Sequence, residues 1–111
     1  MELVKKYQQI ILEIFEEYTK VPPAHGDLED EIIIDRQTDR YLWMVRGWQK
    51  HKRIHACIAR VDIIDEKLWI QHDNTEEGIA TDLERYGVPQ EHIVLGFRSP
   101  ELRKHTGYAA A

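Results

Sequence analysis

Histidine has the widest chemical reach of the residue types in this chain, because its imidazole can bind a metal ion or exchange a proton near neutral pH. The sequence holds six histidines, and the closest two, His51 and His55, lie four residues apart. Both fall in a hairpin pattern, where strand residues four apart share a face but lie about 13 Å from each other. One ion cannot reach both rings, since a zinc–nitrogen bond is about 2 Å long. The spacing therefore predicts no metal site and no cofactor.

Acidic and hydroxyl side chains cluster at residues 72–77, where a strand pattern passes into a helix pattern. Enzymes often gather carboxylates at such a junction for proton transfer or for Mg²⁺, and His72, Asp73 and Glu76 are the candidates here. Capping explains the same residues, because Asn74 or Thr75 can accept hydrogen bonds from the free amides of the first helical turn. We interpret the cluster as structural and predict that the protein is not an enzyme.

A basic turn between two strand patterns carries Arg46, Lys50, Lys52 and Arg53. Weak DNA binding through this hairpin tip, as a recombination cofactor, is one alternative function. The whole chain, however, has 20 acidic residues against 15 Lys and Arg, a net charge of -5 that opposes approach to a polyanion. The composition therefore favours protein partners over direct nucleic-acid contact.

These side chains are positioned by a single domain spanning residues 1–111, a length that can bury one core. Apolar residues recur at helical spacing over residues 3–20, and Pro22 and Pro23 end that helix. Cys57 is the single cysteine, so no internal disulfide can form and a reducing compartment is the simplest setting. With no signal peptide or membrane-spanning run, the sequence predicts a cytoplasmic protein that is not bound to a membrane.

Short turns separate the strand patterns and predict antiparallel neighbours, at residues 29–35, 40–49, 52–64 and 67–73. A capping box at Asn74 and Glu77 starts a helix that ends near Gly87. Residues 93–97 predict a short strand or extended segment. We therefore predict an α+β fold in which a long N-terminal helix and short C-terminal helices pack on a four-stranded antiparallel meander.

The register of this sheet predicts which side chains share a face. If Asp65 and Glu66 form a two-residue turn, Ile63 lies opposite Leu68. The same register assigns seven residues to a second, partly apolar face: Tyr41, Trp43, Val45, Ile58, Arg60, Trp69 and Gln71. Because few helices are available to cover both faces, we predict that this face binds another chain. The alternative is that helices cover both faces and the aromatic residues are ordinary core.

Several short runs together resemble one known family. They read GW at 47–48, RIHAC at 53–57, VDI at 61–63, KLWIQ at 67–71, TEEGIA at 75–80, GVP at 87–89 and IVLGF at 93–97. This combination is similar to the XisI family, the fdxN-element excision controlling factors of cyanobacteria, and the similarity covers nearly the whole chain.

The resemblance implies an accessory function in excising a DNA element during heterocyst development, together with a companion called XisH and a site-specific recombinase that cuts the DNA. XisH is similar to restriction-type nucleases, so the resemblance also implies a protein that binds and restrains or positions a nuclease-like partner. The other partner that we predict is a second copy of this chain, in a homo-oligomer. The resemblance supplies no catalytic or ligand residues.

Overall fold

A computed structural model describes residues 2–20 and 27–111, so the predicted helix stop at Pro22 and Pro23 lies outside the described residues.

The first helix forms one layer of the core. Helix α1 spans Glu2–Thr19, as its apolar spacing predicts. The buried stripe of this helix consists of Tyr7, Ile10, Ile11, Ile14 and Phe15.

The remaining elements form one mixed sheet with short helices. Its strands are β1 (Asp27–Asp35), β2 (Arg40–Gln49), β3 (Lys52–Ile64), β4 (Lys67–Asp73) and β5 (Ile93–Leu95), which are neighbours in that order. Helix α2 (Ile79–Arg85) and a 3₁₀ turn (Gln90–His92) connect β4 to β5, and α3 (Pro100–Arg103) follows. The α+β class is confirmed.

The prediction of a four-stranded antiparallel meander was wrong in detail, because β5 adds a fifth strand that runs parallel to β4. The α2 crossover carries the chain back along the sheet, which is how parallel neighbours are connected. The strand itself lies within residues 93–97, where a short strand or extended segment was predicted, but its place in the sheet was not.

Two-residue turns set the register of the hairpins. Asp65 and Glu66 both have positive φ, 50° and 64°, which matches the twist of the flanking strands. Ile63 therefore pairs with Leu68, as predicted. Gln49 likewise pairs with Lys52 around the basic turn.

Two β-bulges then change which side chains share a face. Trp43 pairs with Ala59 but Met44 pairs with Cys57, so Ile58 is an extra residue without a partner in β2. Further along the sheet, Val61 pairs with Ile70 and Arg60 pairs with His72, which leaves Gln71 as the extra residue of β4. An uninterrupted register from the Asp65–Glu66 turn would pair Arg60 with Gln71, and the bulge changes this pairing. Each bulge shifts the alternation of the following residues by one position.

One face of the sheet, the covered face, packs against α1 and α2. The core on this face includes Tyr41, Ala59, Val61, Ile63, Leu68, Ile70 and Ile93, together with Ile79 and Leu83 of α2. The other face, the open face, follows from the register: Asp27, Glu29, Glu31, Ile33 and Asp35 of β1; Arg40, Leu42, Met44, Arg46 and Trp48 of β2; Arg53, His55, Cys57, Arg60 and Asp62 of β3; Trp69 and Gln71 of β4.

The bulges correct the sequence-based assignment of aromatic residues. Tyr41 was assigned to a face with Arg60 and Trp69, but it lies on the covered face with 0% of its surface exposed. Val45 is also buried there. An exposed partner-binding position for these two side chains is therefore excluded in the isolated chain. Among residues 2–20 and 27–111, no helix combines the length and apolar character needed to cross a membrane.

Candidate functional site

A cleft of about 510 Å³ opens on the covered face, beyond the end of α1 and beside the junction of β4 and α2. We call this surface the acidic cleft. Its lining residues are Glu17, Tyr18, Trp43, Ile58, Asn74, Thr75, Glu76, Glu77, Asp82 and Arg85. The volume lies within the range of about 300–1,000 Å³ that binding pockets occupy.

Two stacked aromatic rings form the apolar part of the acidic cleft. The ring centroids of Tyr18 and Trp43 are 5.2 Å apart with 26° between the planes, and the Trp43 indole also packs on Phe15. The indole N–H donates to the Asp30 carboxylate at 2.9 Å. These contacts fix the ring of Trp43. The two stacked rings form the floor of the acidic cleft, and this floor is held in place before any partner binds.

Asp82 joins the helices behind this floor. Its carboxylate accepts from the Tyr18 hydroxyl at 2.5 Å and from the Arg85 guanidinium at 2.7 Å, and its side chain is only 4% exposed. Burial, followed by the hydrogen bond to Asp82, raises the pKa of Tyr18 to about 12. The phenol therefore stays protonated at neutral pH and acts as a fixed donor to Asp82.

The charge of the acidic cleft is strongly negative. Glu17, Glu76, Glu77 and Asp82 contribute four carboxylates, and Arg85 is the one cation among its lining residues. Aromatic faces beside carboxylates suit a cationic side chain, since a guanidinium or ammonium group is attracted to both. The arrangement can therefore hold a Lys or Arg side chain of a protein.

Asp73 has a structural position at the junction of β4 and α2. Its carboxylate accepts hydrogen bonds from the Thr75 amide at 2.9 Å, the Thr75 hydroxyl at 2.6 Å and the Ile79 amide at 2.7 Å. The Thr75 hydroxyl in turn accepts from the Gly78 amide. The predicted capping box of Asn74 and Glu77 was thus wrong in detail, because Asp73 satisfies the first amide of α2.

Replacing Asp73 by Ala is expected to lower the free energy of unfolding by about 2–3 kcal/mol, because three donors lose a charged acceptor. Urea denaturation measures this loss. Glu76→Ala is the matched control, since Glu76 is an exposed carboxylate directly after Thr75 in the same junction. We expect a change below about 0.5 kcal/mol. Equal effects of the two substitutions would contradict the structural assignment.

The open face carries an ion pair between half-buried Arg60 and buried Asp62. The Arg60 guanidinium makes two bonds of 3.0 Å to the Asp62 carboxylate, and the Gln71 amide donates to the same carboxylate at 3.4 Å. Asp62 is 6% exposed. Trp69, on the next strand, is half-buried because the Arg103 guanidinium stacks over its ring at 5.0 Å.

The structure therefore separates the seven residues predicted as one interface. Trp43 and Ile58 line the acidic cleft, Arg60, Trp69 and Gln71 lie on the open face, and Tyr41 and Val45 are in the interior. Sequence reasoning missed Tyr18 and Asp82, which lie 64 residues apart and meet only through packing. The bulge at Ile58 also turns Leu42 and Met44 to the open face, which an unbroken strand alternation does not predict.

The basic hairpin tip is partly neutralised. Arg46 pairs with Glu29 at 3.2 Å and with Glu31 at 3.0 Å. The Arg53 guanidinium lies 5.2 Å from the centre of the Trp48 ring. Lys50 and Lys52 are exposed. Two of the four cations proposed for DNA contact thus have local partners, which weakens the positive field of the tip.

The histidines are dispersed. His51 and His55 are exposed on the β2–β3 hairpin. The Nδ1 atom of His92 shares a hydrogen bond of 2.6 Å with the Tyr7 hydroxyl. Within the described part of the chain, no three His, Cys, Asp or Glu side chains are grouped as a metal-ligand set.

A mixed five-stranded sheet with a long helix on one face, an acidic cleft and an open face defines a small α+β protein. The family model described as XisI protein matches residues 1–110. The chain therefore belongs to the XisI family, and the resemblance seen in the sequence is confirmed.

Solved structures agree with this family. A XisI-like protein from Anabaena variabilis ATCC 29413 shares 36% identity and superimposes with a TM-score of 0.91, over 97% of this chain and 99% of that one. The fdxN element excision controlling factor XisI from the same organism shares 34% identity with a TM-score of 0.84, over 98% and 99% of the two chains. No match was found among curated proteins.

Proposed function

We propose that this chain is a non-enzymatic controlling factor for the site-specific excision of a DNA element, and that it acts by binding a nuclease-like partner of the XisH kind. The observation that carries the proposal is full-length similarity to a solved excision controlling factor, at 34% identity and a TM-score of 0.84. The whole fold is shared, so a function that uses any of its surfaces can be shared as well.

The acidic cleft is the surface that fits such a partner. A nuclease contacts phosphates through Lys and Arg, so its DNA-binding surface is basic. The carboxylates of Glu17, Glu76 and Glu77 are complementary to that surface, and the fixed Trp43 ring supplies an aromatic anchor. Binding there would cover the basic surface of the partner and keep it from DNA until release. Trp69 and Arg60 lie on the opposite face and do not take part.

Reversing the charge of the cleft rim tests this function. Glu76→Lys combined with Glu77→Lys is expected to weaken capture of a co-expressed XisH-like protein about 30-fold or more, because like charges then meet across the interface. Biolayer interferometry at low and high salt measures the loss, which should shrink as salt screens the repulsion.

The matched control is Glu91→Lys combined with Glu101→Lys. It changes the net charge by the same amount at two exposed carboxylates outside the cleft. We expect its affinity to stay within about threefold of the wild type. No capture of the partner by the wild type, or equal losses in both double variants, would refute partner binding through the cleft.

A further inference from the structure

The open face has an apolar centre that the described part of the chain leaves uncovered. Ile33 pairs with Leu42, and on the next row Met44 pairs with Cys57. Ile33 is 47% exposed, and the other three side chains are half-buried. Helices α1 and α2 lie on the opposite face, and Arg103 of α3 reaches only Trp69 near the β4 edge. A contiguous apolar patch of this kind is typical of a surface that another chain covers.

Charged columns of opposite sign flank this centre. On one side, β1 carries four carboxylates on the open face: Asp27, Glu29, Glu31 and Asp35. On the other side, β3 carries Arg53 and His55, then Cys57, and then Arg60 in its ion pair with Asp62. Strand β2, with Leu42 and Met44, runs between the two columns. Neighbouring strands are about 4.8 Å apart, so the acidic and basic columns lie at equal distances from β2.

In two rows the register aligns an acidic residue of β1 with a basic residue of β3. Asp27 and Arg53 both pair with Trp48, and Glu29 and His55 both pair with Arg46. Two stacked sheets can be related by a two-fold axis parallel to β2. In that arrangement β1 of one copy lies opposite β3 of the other copy, and each residue stays in its own row. Asp27 of one copy would then face Arg53 of the other, and Glu29 would face His55.

We propose that a second copy of this chain covers the open face, in a face-to-face dimer whose two-fold axis runs along β2. An interface of this symmetry needs a patch that is complementary to itself, and the acidic and basic residues on either side of Leu42 and Met44 meet that requirement. Leu42 and Met44 lie at the axis and pack against the same two residues of the second copy. The two sheets are then about 10 Å apart. The acidic cleft lies on the opposite face and stays free for the partner.

Adjacent isoleucines of β1 give a matched pair of variants. Ile33 points to the open face and is 47% exposed, whereas Ile34 points to the other face and is 38% exposed. Sedimentation equilibrium of the full chain should show a dimer for the wild type. Ile33→Glu is expected to raise the dimer dissociation constant about 30-fold or more, and Ile34→Glu to change it by less than about threefold. Thermal unfolding of each variant confirms that the monomer is folded.

A charge exchange tests the symmetry. Asp27→Lys alone and Arg53→Glu alone should each weaken the dimer about fivefold or more, and the two together should restore most of the affinity because the column signs are swapped in both copies.

A wild type that stays monomeric at about millimolar concentration, far above the dissociation constants of stable dimers, would overturn the proposal. A dimer that resists Ile33→Glu, or one disrupted equally by Ile34→Glu, would do the same. Capture of the XisH-like protein is measured separately, so a failed dimer and a failed partner function are distinguishable.

Discussion

Raising the pH from about 10 to about 12 is expected to unfold this protein, because three tyrosines hold their protons more tightly in the folded state than in the unfolded chain. Burial and then the hydrogen bond to Asp82 raise the pKa of Tyr18 to about 12. Burial and the charge of Asp39 raise the pKa of Tyr41 to about 12. Burial and the hydrogen bond to Glu84 raise the pKa of Tyr108 to about 12.

The direction of the effect follows from proton binding. Below pH 10 all three phenols are protonated in both states, and their contribution is complete. Above pH 10 the unfolded chain releases these protons while the folded state retains them, so stability falls until the pH passes the folded pKa near 12. Fully buried Tyr41 accounts for about 3 kcal/mol of the fall. Water screens the half-buried Tyr18 and Tyr108, so we expect about 1 kcal/mol from each.

The sum, about 5 kcal/mol, is comparable with the whole stability of a small domain. Urea denaturation at a series of pH values measures this loss in the free energy of unfolding. Tyr41→Phe is the internal control, since it removes one hydroxyl, which donates to Asp39 at 3.2 Å, and keeps the ring. Its stability should fall less steeply above pH 10, by about 1.4 kcal/mol per pH unit. Parallel curves for the wild type and this variant would show that Tyr41 does not drive the alkaline transition.

Gly47→Ala is expected to lower the free energy of unfolding by about 3–5 kcal/mol, through a steric clash and backbone strain together. Gly47 has φ 147°, and a Cβ atom there would lie 1.8 Å from the Asp27 carbonyl oxygen and 2.9 Å from the Leu28 Cα. The start of β1 would have to separate from β2. Hydrogen exchange of the β1 amides should therefore accelerate along with the loss of stability.

Gly87→Ala separates strain from clash. Gly87 also has positive φ, 91°, but an added Cβ would meet nothing within 4 Å. We expect a loss of about 1–2 kcal/mol from the backbone conformation alone. If the two alanine variants were equally stable, close contact between β1 and β2 would not be the reason that glycine stands at position 47.

Local patterns predicted much of the chain. The apolar spacing of α1 and the Asp65–Glu66 turn act over a few residues, so they were sufficient to place one helix and to pair Ile63 with Leu68. The predicted strands from β2 to β4 match the observed bounds, and β1 begins two residues earlier than predicted, at Asp27. The short strand β5 was also predicted, within residues 93–97, but its parallel pairing with β4 depends on the α2 crossover and had no local pattern.

The sequence by itself determined the family, the α+β class and the main hairpins, because each rests on residues that are close along the chain or on runs that combine over its length. The tertiary structure decided the two faces. The extra residue Ile58 shifts the β2–β3 alternation by one position, and so moves Tyr41 into the core and Leu42 and Met44 onto the open face. The extra residue Gln71 changes the pairing at the end of β4. Which residue bulges depends on how distant elements pack, and the same packing brings Tyr18 to Asp82 behind the acidic cleft.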